Sequence, residues 1–319
     1  MGRFSIAVAA SAALAAVHVA PLHAQEAALV FERDGPWSLD AGEDSCRLAR
    51  SFAHGEDTLA LALERNRADN MVRLVLVSDV IRTFRTANQV GYSYLPDGAQ
   101  RTAFYARSET PDGTPYFNLG NAFVGPDPFA SFAAGAGAGG PSPRNTSGDN
   151  GDVTIPPYDR AAEREYAAGI TGISLGEGLL QPIRIETGSL GGAIEALQAC
   201  TDDLLRSWGL DWEAHQTMTR RAAPIGPAYE WIPRTAVTFA DTGKFVGANN
   251  PFRVMVDATG KPTSCHVHWP TLDARQNEAV CEGIMANGAF TPALDANGEP
   301  MASYWMTDYF PALSRPFGH

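Results

Sequence analysis

Apolar and polar residues alternate along the first part of the chain, between Val30 and Tyr105. Successive side chains of a strand point to opposite faces, so such alternation indicates strands with one buried face. Polar turns separate one strand candidate from the next, which predicts an antiparallel sheet. The clearest apolar positions, in DTLALALER and MVRLVLV, are Leu59, Leu61, Leu63, Val72, Leu74 and Leu76.

The pattern changes at residues 133–152, AAGAGAGGPSPRNTSGDNGD, which offer almost nothing to bury and predict a flexible loop. Beyond the loop, YDRAAEREYAAG predicts a short helix and QPIRIET a strand. Residues 188–209 then predict a long amphipathic helix, with Ser189 as its N-cap and Gly209 just past its end. Its apolar stripe consists of Leu190, Ile194, Leu197, Leu204, Leu205 and Trp208. The acidic pairs Asp202–Asp203 and Glu163–Glu165 are interpreted as solvated helix faces.

The C-terminal part predicts the order β-β-α-β. FRVMVD and TSCHVHW alternate as two strands, joined by the turn DATGKP. Asp273 and Gln276 have capping-box spacing for the helix DARQNEAVCEGIMANG, which Gly288 ends. Asn297-Gly298 predicts a hairpin turn before the last strand, MASYWMTDYF.

Together these elements predict an α+β fold in two domains. A signal peptide would cover 1–24, a β-rich domain with the long helix 25–222, a linker 223–233 and the small C-terminal domain 234–319. A split of the first domain at the glycine-rich loop is the alternative.

Four cysteines, an even number, indicate two disulfides in an exported protein, and three pairings are open. Cys200 lies near the buried stripe of the long helix, from where it could reach Cys46. Cys265 and Cys281 take inward positions on a strand and a helix, which favours a bond between them. Free structural thiols are the alternative reading.

The N-terminal residues indicate the cellular compartment of the protein. Arg3 precedes an alanine-rich apolar run, and Ala24 precedes Gln25, an order typical of a cleaved secretory signal. An uncleaved anchor is the alternative, and no later stretch reaches transmembrane length. The formal charge of −12 disfavours nucleic acid and anionic lipid as partners. We therefore expect a periplasmic protein without an integral membrane segment.

Residues 234–313 resemble the C-terminal domain of TonB-family proteins. The resemblance is carried by the hairpin VMVDATGK, a helix opened by Leu272-Asp273, the sequence FTPA and the sequence DANGEP before the closing strand. The N-terminal part, with SCRLARSF far upstream of ETGSLGGAIEALQAC, resembles uncharacterised exported proteins that carry such a domain. The resemblance implies that Phe290 fills the core of this domain.

The resemblance implies binding rather than catalysis. TonB C-terminal domains accept an extended segment of an envelope protein on a sheet edge. The corresponding edge residues here would be Tyr304, Trp305 and Tyr309 on the last strand. Energy transducers of the family carry an N-terminal anchor and a proline-rich spacer, where this chain has a signal and a folded domain. The expected role is thus an adaptor or scaffold rather than an energy transducer, and dimerisation through the last strand is a further reading.

Motifs for chemistry are sparse, so no cofactor and no enzymatic activity are expected. His266 and His268 share the outward face of one strand, a weak metal-site candidate that would need a third ligand from elsewhere. GISLG matches the G-x-S-x-G motif of serine hydrolases. The alternative function is therefore an exported hydrolase with Ser174 as nucleophile and His215 or His54 as base.

Overall fold

A computed structural model describes residues 27–96, 98–125, 158–233, 251–268 and 274–308. Of these residues, 43% lie in strands and 22% in helices, and most of the strands close into a barrel. The predicted α+β class is therefore wrong, and the described fold is mainly β. The predicted signal peptide, the glycine-rich loop, Asp273 and Tyr309 lie outside the described residues.

Nine strands form the barrel. They are β1 (Leu29–Ala41), β2 (Cys46–His54), β3 (Asp57–Arg65), β4 (Met71–Val77), β5 (Gln89–Leu95), β6 (Arg101–Glu109), β7 (Pro115–Phe123), β8 (Gly172–Leu175) and β9 (Ile183–Ile185). Their spatial order is β1-β2-β3-β4-β7-β6-β5-β8-β9. All neighbours run antiparallel except β9 and β1, whose parallel pairing closes the barrel.

The alternation that predicts strands in this region is confirmed. Every second residue of β3 and β4 faces the barrel core and is at most 2% exposed: Leu59, Leu61, Leu63, Val72, Leu74 and Leu76. Aromatic side chains from other strands, such as Phe31, Phe52 and Phe117, fill the remaining interior. The leucine pattern therefore marks the inside of a closed barrel rather than one face of an open sheet.

In the described part of this domain, α1 (Arg160–Gly169) precedes β8, and α2 (Gly191–Ser207) and α3 (Trp212–Gln216) follow β9. The predicted long amphipathic helix is wrong, since the described residues contain none. The helix in that segment is α2, 17 residues long. It packs against both β2 and α1, so polar Gln198 and Asp202 are buried together with its apolar residues.

The ends of α2 agree in part with the prediction. Gly209 follows it with φ +77°, the left-handed conformation expected just past a helix end. At the other end, the Ser189 hydroxyl accepts a hydrogen bond from the Gly191 N–H at 3.3 Å, while Leu190 occupies the N-cap position. Gly209 thus stops the helix as predicted.

In its described residues, the C-terminal module contains α4 (Ala274–Asn287) and seven strands. These are β10 (Ala223–Pro224), β11 (Pro251–Val256), β12 (Pro262–Val267), β13 (Phe290–Thr291), β14 (Ala293–Leu294), β15 (Pro300–Met301) and β16 (Ser303–Asp308). A three-stranded antiparallel sheet has the order β12-β11-β16, and β10 pairs with β13. A 3-10 turn, Ala228–Glu230, lies in the segment predicted as a linker, and this segment also contributes Trp231 and Ile232 to the module core.

Phe290 fills the centre of that core. It is 3% exposed and lies 5.1 Å from the Trp231 ring and 5.6 Å from the Trp305 ring, measured between centroids. The Phe290 N–H donates to the Gly260 carbonyl at 3.0 Å, and a Cβ added at Gly260 would lie only 2.0 Å from the Phe290 oxygen. The DATGKP turn therefore needs glycine to pack against Phe290.

Both disulfides are present, with the pairing that the element positions favour. Cys46 in β2 is bonded to Cys200 in α2, and Cys265 in β12 is bonded to Cys281 in α4. The first bond attaches a helix to the barrel wall, and the second attaches α4 to the module sheet. The disulfide prediction is confirmed.

Candidate functional site

The module sheet packs between its own helix and the end of the barrel. Phe252, Val254 and Val256 alternate toward the module core, together with Trp305 of β16. The intervening residues Arg253, Met255 and Tyr304 face the barrel. Both faces of the sheet are therefore covered, one by α4 and the other by the barrel.

The centre of this junction is apolar. Met255 and Tyr304 pack against a cluster formed by Ala68, Leu205 and Leu210 of the barrel domain. The Tyr304 hydroxyl accepts a hydrogen bond from the Ala68 N–H at 3.0 Å, and burial raises the pKa of that hydroxyl. These contacts hold the predicted binding residue Tyr304 in the junction, while Trp305 lies in the module core.

Charged residues flank the apolar centre. Asp69 is 3% exposed and accepts a hydrogen bond from Arg221 at 2.9 Å. Burial alone would raise the pKa of Asp69, but the positive charges of Arg221 and Arg67 outweigh it and lower the pKa. This ion pair ties the loop after β3 to the segment that leads into the module.

A second charged group surrounds Asp44, in the turn between β1 and β2. The His266 Nε2 lies 2.9 Å from Asp44 Oδ2, and the His268 Nε2 lies 3.6 Å from Asp44 Oδ1. Arg253 donates to Oδ1 at 3.1 Å, and its guanidinium lies 4.0 Å from the centroid of the Trp208 ring. Burial lowers the pKa of His268 to about 4, although the Asp44 charge partly opposes the shift.

The sequence pairs the two histidines of this group but does not indicate that Asp44 joins them. His266 and His268 are recognisable because they alternate on one strand. Asp44 lies 222 residues away from His266, and only the docking of the module on the barrel brings the two together. No local pattern around Asp44 distinguishes it from an ordinary turn aspartate.

The residues proposed for a hydrolase lie in different surroundings. Ser174 is in the middle of β8 and pairs with Ser93 on one side and Arg184 on the other. It thus lacks the strand–turn–helix setting of a nucleophile elbow. The described contacts of His54 are with Val30 and Phe31, and those of His215 are with Asp211, Ser303 and Tyr304.

His215 instead belongs to the junction. It is 5% exposed, its Nδ1 lies 2.6 Å from the Asp211 carbonyl, and its Nε2 lies 3.0 Å from Ser303 Oγ. The carbonyl can only accept, so Nδ1 donates, and in the neutral imidazole Nε2 accepts from the serine hydroxyl. Burial favours this neutral form, because it lowers the pKa of His215 below the ordinary value of 6.5.

Acidification should therefore weaken the fold partly through His215. Below pH 6.5 the His215 imidazole is protonated in the unfolded chain but stays neutral in the folded protein. The contribution of His215 to the free energy of unfolding is therefore fully present above this pH and decreases below it. We expect His215→Gln, measured by urea unfolding from about pH 7 to about pH 5, to lose less free energy of unfolding than the wild type. A constant difference between the two proteins across this range would contradict the expectation.

Comparison with family models finds no match for the sequence, and comparisons with curated proteins and with solved structures find none either. In the part of the chain that the structure describes, no helix has both the length and the apolar character required to cross a membrane. The likeness to TonB domains therefore depends on the residues of this sequence alone.

Proposed function

We propose that this chain is a periplasmic adaptor or scaffold that binds an extended segment of an envelope protein by strand addition to its C-terminal module. The motif likeness to TonB domains supports this role. The structural observation that carries it is the outer position of β12, among the strands of the described residues, in a sheet whose two faces are both covered. A sheet in this position can still offer backbone hydrogen bonds at an edge.

The register of β12 identifies which of its backbone groups point outward. The His268 N–H donates to the Pro251 carbonyl at 2.9 Å, so this pair is hydrogen-bonded toward β11. Hydrogen-bonded and non-hydrogen-bonded pairs alternate along an antiparallel ladder. By this alternation two pairs have no hydrogen bond between their own members. One is Cys265 with Val254, and the other is Val267 with Phe252. The N–H and C=O groups of Cys265 and Val267 therefore point to the open edge.

The β12 edge is more accessible to a partner strand than the β16 edge. Thr263, Ser264 and His266 of β12 are exposed, so a partner strand can approach. On β16, by contrast, Ser303, Trp305 and Met306 are buried. We therefore assign the binding edge to β12. Tyr304 instead packs in the junction with the barrel, and Trp305 packs in the module core.

The proposal is tested by blocking one backbone donor. Val267→Pro removes an outward N–H without removing a bond to β11, and Val267→Ala shortens the side chain but keeps the N–H. With a photo-crosslinking residue at Ser264, we expect an envelope protein to be captured in cells by the parent and by Val267→Ala, and lost in Val267→Pro. The same crosslinker at exposed Glu56, in the β2–β3 turn, is the background control. Equal capture by both Val267 variants, or capture only of a second copy of the chain, would refute the adaptor proposal.

A further inference from the structure

We propose that Asp44, His266 and His268 bind a divalent transition metal, with Zn²⁺ as the best fit, and that the ion links the barrel to the C-terminal module. One ligand atom from each residue lies within 4.8 Å of the others. Imidazole nitrogen and carboxylate oxygen are both ordinary zinc ligands. The site goes beyond strand addition and does not depend on it.

The distances suit a tetrahedral ion. With metal–ligand bonds of about 2.0–2.1 Å, neighbouring ligand atoms are separated by about 3.3 Å. The separations here are 2.9 Å between Asp44 Oδ2 and His266 Nε2, and 3.6 Å between Asp44 Oδ1 and His268 Nε2. One separation is shorter and the other longer than the required value, and they are measured to the two different oxygens of the Asp44 carboxylate. All three ligand atoms lie within 4.8 Å of one another, so a rotation of the carboxylate together with movement of the rings would bring them onto one ion.

The surrounding structure positions all three ligands. His266 and His268 are two residues apart on one extended segment, so both rings point to the barrel side, with centroids 5.4 Å apart. Arg253 holds Asp44 through Oδ1, and Trp208 supports the Arg253 guanidinium. Outer residues that orient a ligating carboxylate in this way are a regular part of metal sites.

The site is also reachable from solvent. The His266 side chain is 47% exposed, whereas the His268 side chain is fully buried. An ion could therefore enter on the His266 side, with water as the fourth ligand, as in zinc sites with three protein ligands. The four cysteines of the chain are all in disulfides, so thiolates do not compete for zinc.

The alternative is that Asp44 only forms an ion pair with Arg253 and a hydrogen bond with His266. Zinc titration calorimetry on the full chain, carrying no polyhistidine tag, distinguishes the two. We expect one ion per wild-type chain, and an affinity at least about 10-fold lower in His266→Ala and Asp44→Asn, since loss of even an outer-shell partner costs this much. The control His54→Ala removes an exposed histidine outside the group and should bind as the wild type does.

Two further readouts keep the test independent of folding defects. Co²⁺ should give the visible absorption of a tetrahedral site with the wild type and with His54→Ala, but not with His266→Ala. Zn²⁺ should raise the thermal midpoint of the wild type and leave that of His266→Ala unchanged, because a ligand stabilises the folded state that binds it. Absence of wild-type binding, or equal binding by His266→Ala, would overturn the proposal.

Discussion

Arg65→Met is expected to reduce the free energy of unfolding by about 3–5 kcal/mol, because it leaves a buried carboxylate without its opposing charge. Arg65 lies at the end of β3, and its Nη2 is 2.6 Å from Glu163 Oε1 on α1. The two side chains are 0% and 3% exposed, so water cannot replace the lost partner. Gln198 still donates to Glu163 at 2.8 Å, but it is uncharged. Urea unfolding followed by circular dichroism measures the loss.

Two further variants separate charge burial from packing. Replacing Glu163 as well, in Arg65→Met/Glu163→Met, removes the stranded charge and should recover much of the loss. Arg184→Met breaks the ion pair between Arg184 of β9 and Glu186, whose side chains are 46% and 31% exposed, and should cost at most about 1 kcal/mol. A double variant no more stable than Arg65→Met would show that the arginine acts by packing and not by neutralising Glu163.

The same buried network explains why local patterns do not predict the helical part. Glu163 and Asp202 look like residues of solvated helix faces, because acidic residues are seldom buried unless they are paired. Their partners Arg65 and Arg160 are 98 and 42 residues away along the chain. Local helix periodicity carries no information on such partners. It therefore predicts one apolar stripe, whereas α2 is covered by both the barrel and α1.

Local patterns succeed where the determining contact is also local. Alternation places Leu59, Leu61 and Leu63 inside, and Gly209 marks a helix end by its own backbone conformation. Barrel closure depends instead on β9 pairing with β1, through partners such as Leu29 and Ile183. The strand β9 is only three residues long, so its sequence does not indicate which strand it pairs with. The fold class was wrong for this reason.

The candidate site follows the same division. The strand places His266 and His268 side by side, so the sequence suffices to pair them. The contact of Asp44 with His266 and the packing of Tyr304 against the barrel domain arise only because the module docks on the barrel. The docking also covers one face of the sheet, so the strand addition that we propose would use the β12 edge. An ion bound at the proposed Asp44–His266–His268 site would stabilise this same strand.

Removing the Cys46–Cys200 disulfide should cost more stability than removing Cys265–Cys281. The bonded cysteines are 154 residues apart in the first case and 16 in the second. In the chain-entropy model, closing loops of these sizes stabilises by about 5 and about 3 kcal/mol, respectively, because the longer crosslink restricts the unfolded chain more. The variants are Cys46→Ala/Cys200→Ala and Cys265→Ala/Cys281→Ala, compared by urea unfolding at equal protein concentration.

This ranking tests the chain-entropy effect of the disulfides only when the loss of packing around the cysteines is measured separately. Cys46 is fully buried and Cys200 is 5% exposed, so alanine at these positions also removes buried sulfur contacts and adds to the cost. A Cys46→Val/Cys200→Ala variant refills part of the volume without restoring the crosslink. If the refilled variant keeps most of the deficit, the crosslink itself stabilises the barrel by tethering α2 to β2. Recovery to within about 1 kcal/mol of the wild type would instead assign the effect to packing, and the loop-length ranking would then be wrong.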